Sequence, residues 1–167
     1  RRSTDAHSVT RAAFAARVVL TMRGARARPL PPMLRLSANL SWLFTEVPFL
    51  ERFGEAARAG FRAVEFAFAY DTPERAVADR LAEHRLECVL INAPPGDYAA
   101  GERGIAALPG REKEFAASFA TALRYAAALR CARIHVMAGL VGHEGKRPAA
   151  RATFVSNLRH GWEAASA

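Results

Sequence analysis

The chain has 167 residues, 51% of them hydrophobic, which suits one folded domain with a sizeable core and leaves little room for two. Its net charge of +8 is concentrated in residues 1–32, which hold seven arginines against the single acid Asp5 and leave only +2 for the rest of the chain. That balanced body argues against nucleic acid as a partner, and no apolar run reaches the roughly 18–20 residues needed to span a bilayer.

Residues 1–32 show no helical or strand period and close on Arg-Pro-Leu-Pro-Pro. Arg- and Ala-rich and almost free of acids, they have the composition of a transit peptide, while the interrupted apolar patch 12–20 does not make a secretory signal. The alternative is that they stand outside the fold and that Met33 is the natural start. Residues 1–32 are accordingly read as an extension and 33–167 as the domain.

From Met33 the pattern changes. Residues 34–40 set Leu34, Leu36, Ala38 and Leu40 against Arg35, Ser37 and Asn39, the period of a strand. Thr45 fits an N-cap with Pro48 in the first turn, and a helix is expected through Arg58 with Gly60 as its stop. Residues 63–70 form the second strand; Thr72 and Pro73 open a helix to about His84. The third strand is 86–92, the third helix 111–129 with Phe115, Phe119, Ala122, Leu123 and Ala126 on one face, and the fourth strand 133–138. A last amphipathic helix over 149–164 is expected to bury Phe154, Val155, Leu158 and Trp162. Cys88 and Cys131 fall in apolar runs and read as buried, reduced thiols, with no Cys/His zinc spacing.

Strict β-α alternation implies a parallel sheet covered by helices, either doubly wound or a (β/α) barrel. The first strand leads into Asn39-Leu-Ser-Trp-Leu-Phe44, with no glycine cradle for a dinucleotide, which speaks against a Rossmann site and leaves a TIM-type (β/α) barrel among the α/β architectures. Residues 92–111 stand apart. This loop, between a strand and a helix, carries Gly96, Gly101, Gly104, Gly110, Pro94, Pro95 and Pro109 with Asn92, Asp97, Glu102 and Arg103. Loops longer than about 12–15 residues inside a domain are usually functional or disordered.

Met33-Leu-Arg-Leu-Ser-Ala-Asn-Leu-Ser-Trp-Leu-Phe44 and Gly60-Phe-Arg-Ala-Val-Glu-Phe66 resemble the opening of the hydroxypyruvate isomerase family, whose relatives include the 2-oxo-tetronate isomerases. Pro95-Gly-Asp97, Gly101-Glu-Arg-Gly104 and Leu108-Pro-Gly-Arg-Glu112 resemble that family's loop after its third strand, and His135-Val-Met-Ala-Gly139 its fourth strand. Thr45-Glu-Val-Pro48 and residues 135–139 lean toward the 2-oxo-tetronate branch. The resemblance covers about 33–162. It implies a xylose isomerase-like barrel, present here as about its first four β/α units. It also implies aldose–ketose-type isomerisation of a small hydroxy-keto acid, such as hydroxypyruvate to tartronate semialdehyde, in the cytoplasm. A divalent metal, Mg²⁺ or Mn²⁺, is expected for the family. Its ligands and the catalytic glutamates lie on later strands with no counterpart here, so no catalytic residue is carried over and the chain is expected to be inactive alone.

The pocket candidates are polar groups at strand exits, where barrels place their sites. Asn39 either donates to a substrate oxygen or caps the strand exit as a turn residue. Glu65, inside the second strand, is either a pocket acid or a hydrogen-bond hub, since an unpaired buried carboxylate is costly. Asn92, ending the third strand, is the best single candidate. Asp97 and Arg103 come from the loop; Arg103 could grip a carboxylate or form an exposed ion pair with Glu102, and Arg111 is expected to pair with Glu112 or Glu114. His135 reads as a hydrogen-bonded core group or a base, and His143 and Glu144 as exposed. Trp42, Phe66 and Phe68 read as barrel filling or pocket wall. Two other functions stay open: a metal-dependent endonuclease of the same barrel superfamily, disfavoured by Asn92 in place of a histidine, and a non-catalytic module that self-associates through open sheet edges.

Overall fold

The structure is a computed structural model and describes residues 35–142 and 144–166. The expectations for residues 1–32, Met33 and His143 lie outside the described residues. Four parallel strands alternate with four helices: β1 (Ser37–Asn39), α1 (Arg52–Arg58), β2 (Ala63–Phe66), α2 (Glu74–His84), β3 (Glu87–Asn92), α3 (Glu112–Leu129), β4 (Ile134–His135) and α4 (Arg147–Ser166). Single 3₁₀ turns, Phe49–Glu51 and Glu144–Lys146, lead into α1 and α4.

The sheet order is β1-β2-β3-β4 with every pair parallel. A doubly wound sheet reverses direction after its first strands, whereas a barrel adds each strand beside the last. The unbroken order is therefore that of consecutive units of a (β/α) barrel, as the family resemblance implied. Register aligns Asn39 with Glu65, Glu65 with Leu90, and Asn92 with His135. Aligned residues of neighbouring strands share a face, so these polar side chains stand together on the side away from the helices.

The opposite face makes the core. Ala38, Leu40, Val64, Phe66 and Ile91 are buried there against the helices, and Phe49, Phe53 and Phe66 meet edge to face at centroid distances of 5.3–6.0 Å. Edge-to-face packing suits the ring quadrupole and adds to the area each ring buries. After α1, Gly60 takes φ 92° and lets the chain turn back into β2, the stop expected of it. Arg85 and Arg130 play the same part after α2 and α3 without being glycine, at φ 52° and 53°. In both, the next residue closes the turn, through Leu86 N–H to Leu81 O (2.9 Å) and Cys131 N–H to Ala126 O (2.8 Å).

Several expected elements change. The helix expected from Thr45 begins only at the Phe49–Glu51 turn, with Pro48 as its cap. Residues 40–47 form turns instead, and the Arg52 guanidinium satisfies them by donating to Leu40 O (2.8 Å) and Val47 O (3.0 Å). The strands are shorter than their alternating patterns because their ends leave the sheet to build loops. In α4 the expected apolar stripe is inverted. Val155, Leu158 and Trp162 are exposed, while Ala150, Asn157 and Gly161 are buried and Phe154 packs against the core.

Candidate functional site

Three expected residues come together. Asn39, Glu65 and Asn92 line one cleft of about 200 Å³ at the C-terminal ends of β1, β2 and β3, walled by Trp42, Phe68, Tyr98 and Met137. A larger cavity of about 450 Å³ lies between the C-terminal ends of α2 and α3, among Arg85, Leu86 and Arg130. In a barrel those helix ends sit at the strands' N-terminal face, which carries stability, so the smaller cleft is the candidate site. It falls below the roughly 300–1,000 Å³ of pockets that enclose drug-sized ligands and suits a molecule of a few carbons.

Glu65 is the hub of the cleft floor. Its Oε2 accepts from Ser37 Oγ (3.2 Å) and its Oε1 from Asn39 Nδ2 (3.1 Å). Asn39 Oδ1 in turn accepts Ser41 N–H (3.0 Å), and Ser41 Oγ accepts Ala67 N–H (2.8 Å). Asn39 thus has the turn role expected of it, capping the strand exit through its oxygen, and it lines the cleft. The donation to Glu65 fixes which way its amide faces.

Asn92 is held differently. Its backbone carbonyl accepts the Tyr70 hydroxyl at 2.5 Å, and its N–H donates to Ala67 O (3.2 Å). Burial pushes the Tyr70 phenol well above the ordinary tyrosine range, with Tyr125 and Cys131 alongside adding to the shift, so the hydroxyl remains a donor. The Asn92 side chain makes no hydrogen bond among the described residues and lines the cleft. It is a fixed backbone carrying an uncommitted amide.

The other candidates stand outside the cleft. Asp97 is exposed and spends Oδ1 on Ala100 N–H (2.9 Å), a local turn. Arg103 does not pair with the Glu102 carboxylate. Its guanidinium carbon lies 3.9 Å from the centroid of the Tyr98 ring, and Nη1 donates to Tyr98 O (3.1 Å) and Glu102 O (2.7 Å). Stacking over an aromatic face is favourable for a guanidinium, and here it backs the Tyr98 wall, whose other neighbour is Phe68 at 5.3 Å. His135 shares Asn92's face but is exposed, so it is not a core group as one reading had it. Glu144 is exposed and 3.9 Å from Arg147.

The loop itself is not a solvated excursion. Gly104, Ile105, Ala106 and Ala107 are buried, and Ile105 and Ala106 pack with Ala93, Phe115, Phe119 and Ala122 in a second core cluster. Gly104 pairs antiparallel with Ala138, so close that a Cβ on it would lie 2.1 Å from Met137 O. Any side chain there would push the loop off the segment that follows β4. Glu102 ties the loop's ends, accepting Asp97 N–H (2.6 Å) and both terminal nitrogens of Arg111, which also forks onto Glu114 (2.6 and 2.7 Å). The Arg111 hydrogen bond, followed by the Asp97 amide, holds the Glu102 carboxyl below the usual carboxylate range. Tyr98 and Met137 were not foreseen as walls. Only the glycine spacing that folds the loop onto β4 hinted at them.

A metal does not fit the residues described. Among them no group of three or more His, Cys, Asp or Glu side chains converges, and the one carboxylate in the cleft has both oxygens engaged.

Comparison with known proteins places this geometry. A family model described as "Xylose isomerase-like TIM barrel" matches residues 53–166. A 2-oxo-tetronate isomerase of Cupriavidus necator is 49% identical over 135 residues, covering 81% of this chain and 52% of that protein. The hydroxypyruvate isomerase of Escherichia coli is 50% identical over 128 residues, covering 77% and 50% respectively. A crystal structure of an AP endonuclease, family 2, from Brucella melitensis superposes with a TM-score of 0.77 at 50% identity, over 80% of this chain and 52% of that one. The chain spans about half the length of the curated relatives it matches.

Proposed function

Since the chain belongs to the xylose isomerase-like TIM barrel family, we propose that its cleft is the substrate-orienting part of an isomerase for a small hydroxy-keto acid, hydroxypyruvate or a 2-oxo-tetronate. The names of the relatives support the chemistry, and the uncommitted amide of Asn92 is the observation that carries it to this cleft. Such a substrate presents hydroxyl and carbonyl oxygens on adjacent carbons. Two amides at strand exits on either side of β2, Asn39 oriented by Glu65 and Asn92 free, offer donors to that pair. Trp42, Phe68 and Tyr98 would exclude water from its carbon face.

Isomerisation moves a proton between adjacent carbons through an enediolate, which requires a base, its conjugate acid and stabilisation of the developing oxyanion. The cleft provides the last through amide N–H groups. Its one carboxylate is committed to Ser37 and Asn39, so the described residues hold and orient a substrate without a free acid–base pair. The divalent metal expected of the family would need ligands beyond these residues. A cytoplasmic setting fits metabolism of this kind; no described helix is long and apolar enough to cross a membrane.

Titrating the 167-residue chain with hydroxypyruvate, followed by NMR shifts at β1–β3 exits, tests the reading. Saturable shifts around Asn39, Glu65 and Asn92, weakened roughly 3–30-fold by Asn92→Ala, are expected, with no turnover. Shifts confined elsewhere, or binding indifferent to Asn92→Ala, would overturn it. The endonuclease alternative is supported by the description of the Brucella melitensis protein. Among the described residues no Lys or Arg lines the cleft, which leaves a nucleic-acid backbone unmatched.

A further inference from the structure

Cys88 and Cys131 take no part in the cleft. Cys88 lies on β3, and Cys131 follows α3 at the approach to β4. β3 and β4 are neighbouring parallel strands with Ile91 aligned to Ile134, and both cysteines precede that pair on the side that packs into the core. Both are free thiols and nearly fully buried, at 4% and 7% exposure. Their settings are twins: each sulfur faces the carbonyl two residues on, Cys88 Sγ to Leu90 O at 4.0 Å and Cys131 Sγ to Arg133 O at 3.3 Å. Both thiols belong to the same buried core cluster. Neighbouring strands lie about 4.7–4.9 Å apart, inside the roughly 4.4–6.8 Å window of Cα separations that a disulfide bridges.

We propose that Cys88 and Cys131 form a two-thiol modification site that a small hydroperoxide oxidises to an intramolecular disulfide. Cys131 is the attacking sulfur. It lies two residues from the cationic Arg133, which favours a thiolate there, whereas burial within β3 keeps the proton on Cys88. The Cys131 thiolate attacks one peroxide oxygen and breaks the O–O bond; with one proton taken up, the products are Cys131 sulfenic acid and water. The Cys88 sulfur then attacks the sulfenic sulfur and displaces its hydroxyl, which leaves as a second water with the Cys88 proton. Two thiols are oxidised to one disulfide, and one hydrogen peroxide is reduced to two waters. Burial excludes bulky oxidants but not one close to water in size. It also favours closure onto the adjacent thiol over further oxidation.

Dilute 167-residue chain treated with hydrogen peroxide, unfolded and alkylated with N-ethylmaleimide tests the site directly, because the chain holds only these two cysteines. The expected product carries no maleimide, regains two labels after dithiothreitol, and yields on trypsin digestion peptide 86–103 linked to peptide 131–133. Cys88→Ser should accumulate a dimedone-trappable sulfenic acid at Cys131, and Cys131→Ser should react far more slowly at Cys88. The proposal is overturned by sulfinic or sulfonic acid without linkage, by linked dimers as the sole disulfide, or by two free thiols surviving a dose that oxidises the urea-unfolded chain. Equal reactivity of the two serine variants would overturn the assigned order of attack. Peptide mapping of the unsubstituted chain decides the linkage even where a serine variant fails to fold.

Discussion

Helices α3 and α4 pack against one another, yet they bury opposite kinds of residue. α3 buries Phe115, Phe119, Ala122, Tyr125, Ala126 and Leu129, the apolar stripe its sequence displays. α4 buries Ala150, Asn157 and Gly161 and leaves Trp162 74% exposed. The difference lies in what each faces. α3 lies on the sheet and the buried middle of the loop, surfaces that reward large side chains. α4 lies on α3 and must admit the Phe119 ring, whose atoms would be 3.0 Å and 3.2 Å from a Cβ on Gly161. It also reaches the loop, where Asn157 Nδ2 donates to Ala106 O at 2.9 Å. Asn157 is the only buried amide or charged side chain among the described residues, and it satisfies a carbonyl that the loop's own ladder leaves over.

The sharpest way to break this contrast is to remove an anchor of α3. Phe115→Ala empties a site 2% exposed and should cost about 3–5 kcal/mol, read from the denaturant midpoint, with faster amide exchange at Ile105 and Ala106. On α4, Asn157→Ala strands the Ala106 carbonyl and should cost about 1–3 kcal/mol by the same measurement. Gly161→Leu should cost a similar amount, about 1–3 kcal/mol, through overpacking against Phe119.

A smaller effect is expected from acid. Arg111 lowers the folded-state pKa of Glu102, so the stabilisation is complete above the unfolded value of about 4.3 and is lost as pH falls through the folded value. The loop's amides should lose protection over that window. Glu102→Gln should flatten the profile only in part, because Arg111 also holds the Glu114 carboxyl low, and the Gly110 amide does the same for Glu112. The smallest effect belongs to Trp162→Ser, expected to change stability by no more than about 0.5 kcal/mol. A loss several times larger would mean that α4 docks through its apolar stripe after all.

Much of the site could be read from the chain. Asn39, Glu65 and Asn92 stand at strand exits because alternation assigns them to one face, and β-α succession assigns that face to the barrel's mouth. Asp97, Arg103 and His135 belong to the same loop and strand neighbourhood, but composition does not say which way a side chain turns. Asp97 closes its own turn, Arg103 stacks on Tyr98, and His135 has no strand covering it among the described residues. Each outcome depends on a neighbour many bonds away or beside it in the loop, and local periodicity is blind to both.

The loop 92–111 marks the boundary most clearly. Its length, its glycines and its place after β3 were enough to single it out, and Gly-Glu-Arg-Gly with Leu-Pro-Gly-Arg tied it to a family. Local chemistry alone determined the strands' alternation, the helices' stops at Gly60 and the parallel architecture, because those rest on side-chain period and backbone sterics. Only the tertiary structure decided that Ile105 and Ala106 are core, that Glu102 closes the loop through Arg111, and that α4 turns its small and polar residues inward. Burial is a property of what lies opposite, and no residue carries that in its own sequence.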